Sequence, residues 1–153
     1  MLDFINITKA LTDENRLRIL LALRNRELCV CQITAMLDLA PSTTSKHLSV
    51  LRQARLIEST KHGKWVYYHL IEPKNSGATN EKKFVLERQG GVAAREALDL
   101  TIRSLEDHPA ILRDEERFLE ILQREGVLYA GMEENEMNRM HSPAIHSLAR
   151  DEE

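Results

Sequence analysis

The hydrophobic spacing of this chain changes period at Leu56, and that change constrains its fold more than any other feature. Before it, apolar residues recur at helical intervals: Ile33, Met36 and Leu37, then Leu48, Leu51 and Ala54 with Thr44 on the same stripe. After it, Leu56-Ile57-Glu58-Ser59-Thr60 and Trp65-Val66-Tyr67-Tyr68-His69-Leu70 are β-prone. They flank Lys61-His62-Gly63-Lys64, which holds the glycine that a tight turn favours. Between the two helical stretches, Asp38-Leu39-Ala40-Pro41 breaks the pattern and Ser42 offers an N-cap. A short helix, a turn, a polar-faced helix and a hairpin predict a helix-turn-helix followed by a wing.

The flanks add helices. Residues 2–11, with Leu2, Phe4, Ile5, Ile7, Ala10 and Leu11, read as a short apolar helix, and Thr12-Asp13-Glu14 offers the cap and acidic first turn of a second. That second helix carries Leu17, Leu20, Leu21 and Leu23. A polar linker spans 72–80. Residues 81–106 predict a helix broken at Gly90-Gly91, with an apolar face of Val92, Leu98, Ile102 and Leu105. Pro109 opens another, with Ile111, Glu115, Phe118 and Leu122 on one stripe, that Gly126 ends. The expected organisation is a mainly α fold with a small β-hairpin. Residues 1–71 form the winged unit, 72–80 the linker, 81–125 a helical dimerisation segment and 126–153 a mobile acidic tail.

Aromatic residues make up only 5% of the 153 positions, which argues against a β-sandwich. No apolar run approaches the roughly 18 residues of a membrane span, and the first residues lack the pattern of a signal peptide; a cytoplasmic location is expected. Cys29 and Cys31 are the whole cysteine supply, too few for a disulfide framework and suited to a reducing compartment. The net charge of −3 hides a division. Residues 1–71 hold ten Lys/Arg against six Asp/Glu, whereas 72–153 hold eleven against eighteen. A local basic patch on an acidic chain fits a polyanion met by one face only.

Three segments together resemble the ArsR/SmtB family of metal-sensing repressors, within it the arsenic-responsive branch. They are Glu27-Leu-Cys-Val-Cys-Gln-Ile33, the run from Ser42 through Lys46-His47-Leu48 to Arg52, and Gly63-Lys-Trp-Val-Tyr-Tyr68. The resemblance covers residues 5–71. It implies a homodimeric transcriptional repressor on double-stranded operator DNA with no permanent cofactor, released by trivalent arsenic or antimony: arsenite, antimonite or an organoarsenical. The family's other sensing site, for zinc on the C-terminal dimer helix, is not expected, because Asp99-Leu100-Thr101 and the stretch from Leu112 to Glu115 lack its histidines.

A helix in the major groove reads base edges with short polar side chains while cations hold phosphates. Ser42, Thr43 and Thr44, then Lys46 and His47, suit that division. Arg52, Lys61 and Lys64 suit backbone contacts, the lysines from the wing. Against this, Ser42 also fits a simple cap, Thr44 a core position and His47 a packed one. Cys29-Val30-Cys31 is the chemical centre, because thiolates are the natural ligands of a soft trivalent ion. In a regular helix residues i and i+2 lie roughly 200° apart. Both sulfurs therefore reach one arsenic only if the first turn distorts, unwinding under ligand, or begins at Cys31. Arsenite sensors of this type often carry a third cysteine where this chain has Thr34, leaving two sulfurs per chain. Two thiols also suffice for a redox- or persulfide-sensing repressor, the alternative reading. A dithiol enzyme is the weakest one, since no Cys-x-x-Cys in a βαβ setting is visible and Gly90-Gly91 has no phosphate-loop context.

Overall fold

A computed structural model describes the backbone of residues 1–71 and 81–129, and side chains within 1–71 and 91–124. The expected linker at 72–80 and residues 130–153 of the expected tail lie outside the described residues. The elements run α1 (Leu2–Leu11), α2 (Glu14–Ala22), β1 (Leu28–Cys29), α3 (Val30–Leu37), α4 (Pro41–Gln53), β2 (Ile57–His62), β3 (Trp65–Leu70), α5 (Glu81–Leu105) and α6 (Pro109–Tyr129). This is the expected winged helix-turn-helix, mainly α, with one addition: β1 pairs with β3 and makes the wing a three-stranded antiparallel sheet in the order β1-β3-β2.

Local chemistry explains each boundary. Asp13 caps α2 through a bond from Arg16 N–H to its carboxylate at 3.0 Å. Asp38 ends α3 in the left-handed region (φ 56°), which an aspartate tolerates better than most residues. Pro41 occupies the first helical position of α4, where its missing N–H costs nothing, so the cap is Ala40 and not Ser42 as expected. In the wing, His62 pairs with Trp65 around Gly63-Lys64. Gly63 takes a positive φ of 59° at the first central position, the place where a type II′ turn asks for glycine.

A single apolar core joins all of this. Ile19, Leu20 and Leu23 of the α2 region, Ile33 and Met36 of α3, and Leu48 and Leu51 of α4 pack with Leu28, Leu56 and Ile57 of the sheet region. Ala94 and Leu98 of α5 and Phe118 and Leu122 of α6 belong to the same cluster. The face α5 buries is Ala94, Leu98 and Thr101; Val92, expected on it, is exposed. The helix also runs unbroken through Gly90-Gly91, and α6 continues past Gly126 to Tyr129. A glycine costs a helix interior only about 1 kcal/mol, so in elements this long it does not force an end.

Ion pairs lock α6 in place. Arg18 of α2 makes two bonds of 2.6 Å to the carboxylate of buried Asp114. These hydrogen bonds hold the guanidinium above its ordinary pKa, against the opposing effect of burial. Arg26, just before β1, bonds Glu115 at 2.6 Å and lies over the Phe118 ring, 4.7 Å from its centre. Removing one charge from the Arg18–Asp114 pair leaves the other part-buried and unmatched. Asp114→Asn should therefore cost about 2–3 kcal/mol of stability, read as a lower urea midpoint with unchanged slope. A midpoint within error of wild type would show that α6 is not held by this pair.

Candidate functional site

The two cysteines sit where the wing meets the helix-turn-helix. Cys29 is the last residue of β1, its backbone opposite Tyr67 of β3, and it serves as the N-cap of α3 with an extended φ of −79° and ψ of 164°. The helix begins only at Val30. Cys31 is thus helical and Cys29 is not, so the conflict expected of an i, i+2 pair does not arise and no unwinding is needed for the sulfurs to meet. They meet fully: Cys29 and Cys31 are joined as a disulfide, with Cα atoms 5.4 Å apart. This bond closes no chain loop of structural consequence, so it is a local device and not the framework that two cysteines were judged too few to make.

The pair is asymmetric. Cys29 is 7% exposed whereas Cys31 faces solvent. Gln32, buried among apolar residues, accepts the Cys29 N–H at 3.1 Å through Oε1. One turn beyond Cys31, the Thr34 hydroxyl is buried with no hydrogen-bond partner. A hydroxyl there is a hard donor and does not replace the sulfur that a soft ion would take.

On α4 the structure separates the expected reading residues. Ser42, Lys46 and Arg52 are exposed and Thr43 is half-buried. Thr44 is 0% exposed and its Oγ1 bonds the Ala40 carbonyl at 3.3 Å. It is core, so its place among the base-reading residues is withdrawn. His47 is likewise turned inward: its side chain is 13% exposed, with Nδ1 3.6 Å from the capping carboxylate of Asp13. The outward stripe is Ser42, Ser45, Lys46, Ser49, Arg52 and Gln53. Ser45, Ser49, Arg52 and Gln53 line a polar concavity of about 470 Å³ with Tyr68 of the wing. Sequence reasoning missed Ser45, Ser49 and Tyr68. Counting the face opposite Thr44, Leu48 and Leu51 with steps of three and four would have found the serines. Lys61 and Lys64 lie exposed at the wing, near its Gly63 turn.

A short helix α3, a left-handed turn, an outward polar helix α4 and a basic-tipped wing define a winged helix-turn-helix protein. The chain belongs to the family described as bacterial regulatory protein, arsR family, whose model matches residues 13–59. It is 48% identical over 63 residues to the cadmium resistance transcriptional regulatory protein CadC of Listeria innocua, covering 40% of this chain and 53% of that one. It is 36% identical over 84 residues to the arsenical resistance operon repressor of Bacillus subtilis, covering 54% of this chain and 80% of that one. Among solved structures, reduced HlyU from Vibrio cholerae gives a TM-score of 0.49 at 25% identity, over 67% of this chain and 88% of that one. The chain spans about half the length of the first curated relatives that it matches. The family is one of regulatory proteins and not of enzymes. Among the described residues no helix is long and apolar enough to cross a membrane.

The burial difference between the thiols generates a test that needs no ligand. After reduction, Cys31 should be alkylated by iodoacetamide well before Cys29, because reagent reaches the exposed sulfur first. Mass spectrometry of a time course reads the order. Equal rates would place Cys29 in solvent and contradict the junction geometry.

Proposed function

We propose that this chain is a homodimeric transcriptional repressor, acting in the cytoplasm on double-stranded operator DNA, whose Cys29–Cys31 pair is the sensor. Trivalent arsenic or antimony bridging the two thiolates releases the DNA. The observation that carries this reading is the convergence of both sulfurs at the one point shared by wing and positioning helix. A soft trivalent ion bound there satisfies two of its valences from one chain. With Thr34 in place of a third sulfur, the remaining valence goes to carbon in an organoarsenical, or to solvent or a small thiol in arsenite and antimonite. Curated relatives named for arsenical and for cadmium resistance support a soft-ion effector without choosing among them.

The DNA face is the outward stripe of α4, with Ser45, Ser49 and Gln53 added to Ser42 and Thr43 as candidates for base edges. Lys46, Arg52, Lys61 and Lys64 hold phosphates. The dimer face draws on Leu2, Phe4 and Ile5 of α1 and Val92 and Leu100 of α5, apolar side chains that the protomer leaves exposed while α1 and α5 pack together. A second reading has its own support: because the cysteines are disulfide-bonded, the same switch would serve an oxidant or persulfide.

Two experiments test these statements. Lys46→Ala and Lys64→Ala should each weaken operator binding and lower its salt slope by about one unit per contact removed, while Thr44→Ser should leave that slope unchanged. An unaltered slope in both lysine variants would remove the proposed groove assignment. Cys29→Ser and Cys31→Ser should bind operator as wild type does but resist release by phenylarsenite, because one thiolate cannot chelate. Release that survives in the double serine variant would refute the site. Insensitivity of wild type to every arsenical, with release by peroxide or a persulfide donor, would transfer the function to the redox reading.

A further inference from the structure

The convergence of the two sulfurs depends on where α3 starts. Extended back by one residue, the helix would take in Cys29 and turn the sulfurs roughly 200° apart around its axis. The side chain placed to prevent this is Gln32, the third residue of the helix, which is 1% exposed. Its Oε1 accepts the Cys29 N–H at 3.1 Å, in a buried setting. The Gln32 backbone N–H points in return at the Cys29 side chain, closing the reciprocal arrangement of a capping box with sulfur in place of the usual hydroxyl. Cys29 is therefore held from two directions. The ladder to Tyr67 keeps its backbone extended, and Gln32 supplies the acceptor that its N–H needs at the point where strand pairing gives way to helix.

We propose that Gln32 is the positioning residue of the thiol pair. It sets the first residue of α3, keeps Cys29 outside the helix and so fixes the proximity of the two sulfurs. The proposal rests on reading Cys29 and Cys31 as the sensing pair, and it adds a residue that touches no effector. Loss of the Gln32 acceptor leaves a buried N–H unmatched, and the local remedy is for the first turn to fray or re-form in a register that separates the thiols. A carboxylate at position 32 would keep the acceptor but place negative charge beside the attacking thiolate of the reduced pair.

Equilibration of the full-length reduced chain with glutathione and glutathione disulfide tests this directly. Two protein thiols pass two electrons and two protons to glutathione disulfide, leaving one intramolecular S–S bond and two glutathione thiols. The equilibrium constant, read by alkylation and mass spectrometry, measures how well the pair is brought together. Gln32→Leu should lower it about tenfold, with a parallel loss of phenylarsine oxide affinity. Gln32→Asn stays polar but is one methylene too short, and should show the same loss; it decides the matter where the leucine variant does not fold. Gln32→Glu should return the equilibrium constant to within about threefold of wild type, while slowing exchange at neutral pH. Purely structural damage would not split equilibrium from rate in that way. A wild-type equilibrium constant in folded Gln32→Asn, or a Gln32→Glu variant as impaired as Gln32→Leu, would overturn the proposal. The glutathione equilibrium involves neither arsenic nor DNA. A wild-type chain deaf to arsenicals therefore counts against the proposed effector alone, and the variants still judge Gln32.

Discussion

The two-residue ladder between Leu28–Cys29 and Tyr67–Tyr68 is the contact on which the working parts of this molecule depend. Without it the wing would be a two-stranded ribbon, which is marginal in water, and α3 would be joined to the preceding helix only by a loop. With it, the strand that carries the wing tip and the helix that positions α4 share one rigid point. Leu28 is fully buried in the same core cluster as Leu56 and Ile57, and the next residue is a cysteine whose disulfide partner faces solvent. A chemical event at that sulfur pair would have two mechanical outlets at once, β3 and α3. Neither outlet would require the proposed effector to touch the proposed DNA face.

The far side of α3 is held as firmly as the near side. Helix α6 packs along α2 and α3, with Arg26–Glu115 and Phe118 near the start of α3 and Arg117 approaching the Asp38 cap at 3.9 Å near its end. These contacts are not equal. Asp38 is largely in solvent, Arg117, Arg24 and Glu106 are each a little under half exposed, and surface pairs of this kind contribute about 0–1 kcal/mol. Arg18 and Asp114 are sheltered and bidentate. The positioning helix therefore lies between a sheet edge and a docked helix.

The order of helices and hairpin was legible because it rests on a change of period, a signal many residues contribute to. What escaped reading had weaker or shorter signatures. β1 is two residues long and shows no alternation. The buried face of α5 flanks Leu98 with Ala94 and Thr101, too small or too polar to mark it, and the larger Val92 points to another phase. On α4 the spacing places Thr44, Leu48 and Leu51 inward, whereas polarity alone suggests a reading role for Thr44 and an outward place for His47. Helical geometry puts residues 44 and 47 on one side, with 48 and 51, and the Asp13 carboxylate that His47 approaches caps another helix and leaves no trace in local spacing. The thiol pair was legible as chemistry. Its geometry was not, since the extended conformation of Cys29 is imposed by Tyr67 and Gln32 together.

Placing the proposed sensor at this rigid junction and not on the proposed reading surface has an energetic consequence. An effector changes a partner's affinity only by the difference in its own affinity for the two conformations. Were the thiols on the outward stripe of α4, a bound ion would block DNA by occupying its place, and the effect would depend on direct competition. With the proposed sensor at the β1–α3 junction, the outward side chains would remain present in both states, and what would change is their relation to the wing. In the proposed dimer the effect is multiplied by symmetry, because two reading helices must match two half-sites about 34–36 Å apart. A junction strain of about 1.4 kcal/mol in each protomer then amounts to roughly a hundredfold in operator affinity. That is a large response from a local event. It requires that the junction be stiff, which is what a buried capping box, a strand ladder and a docked helix around one short helix supply.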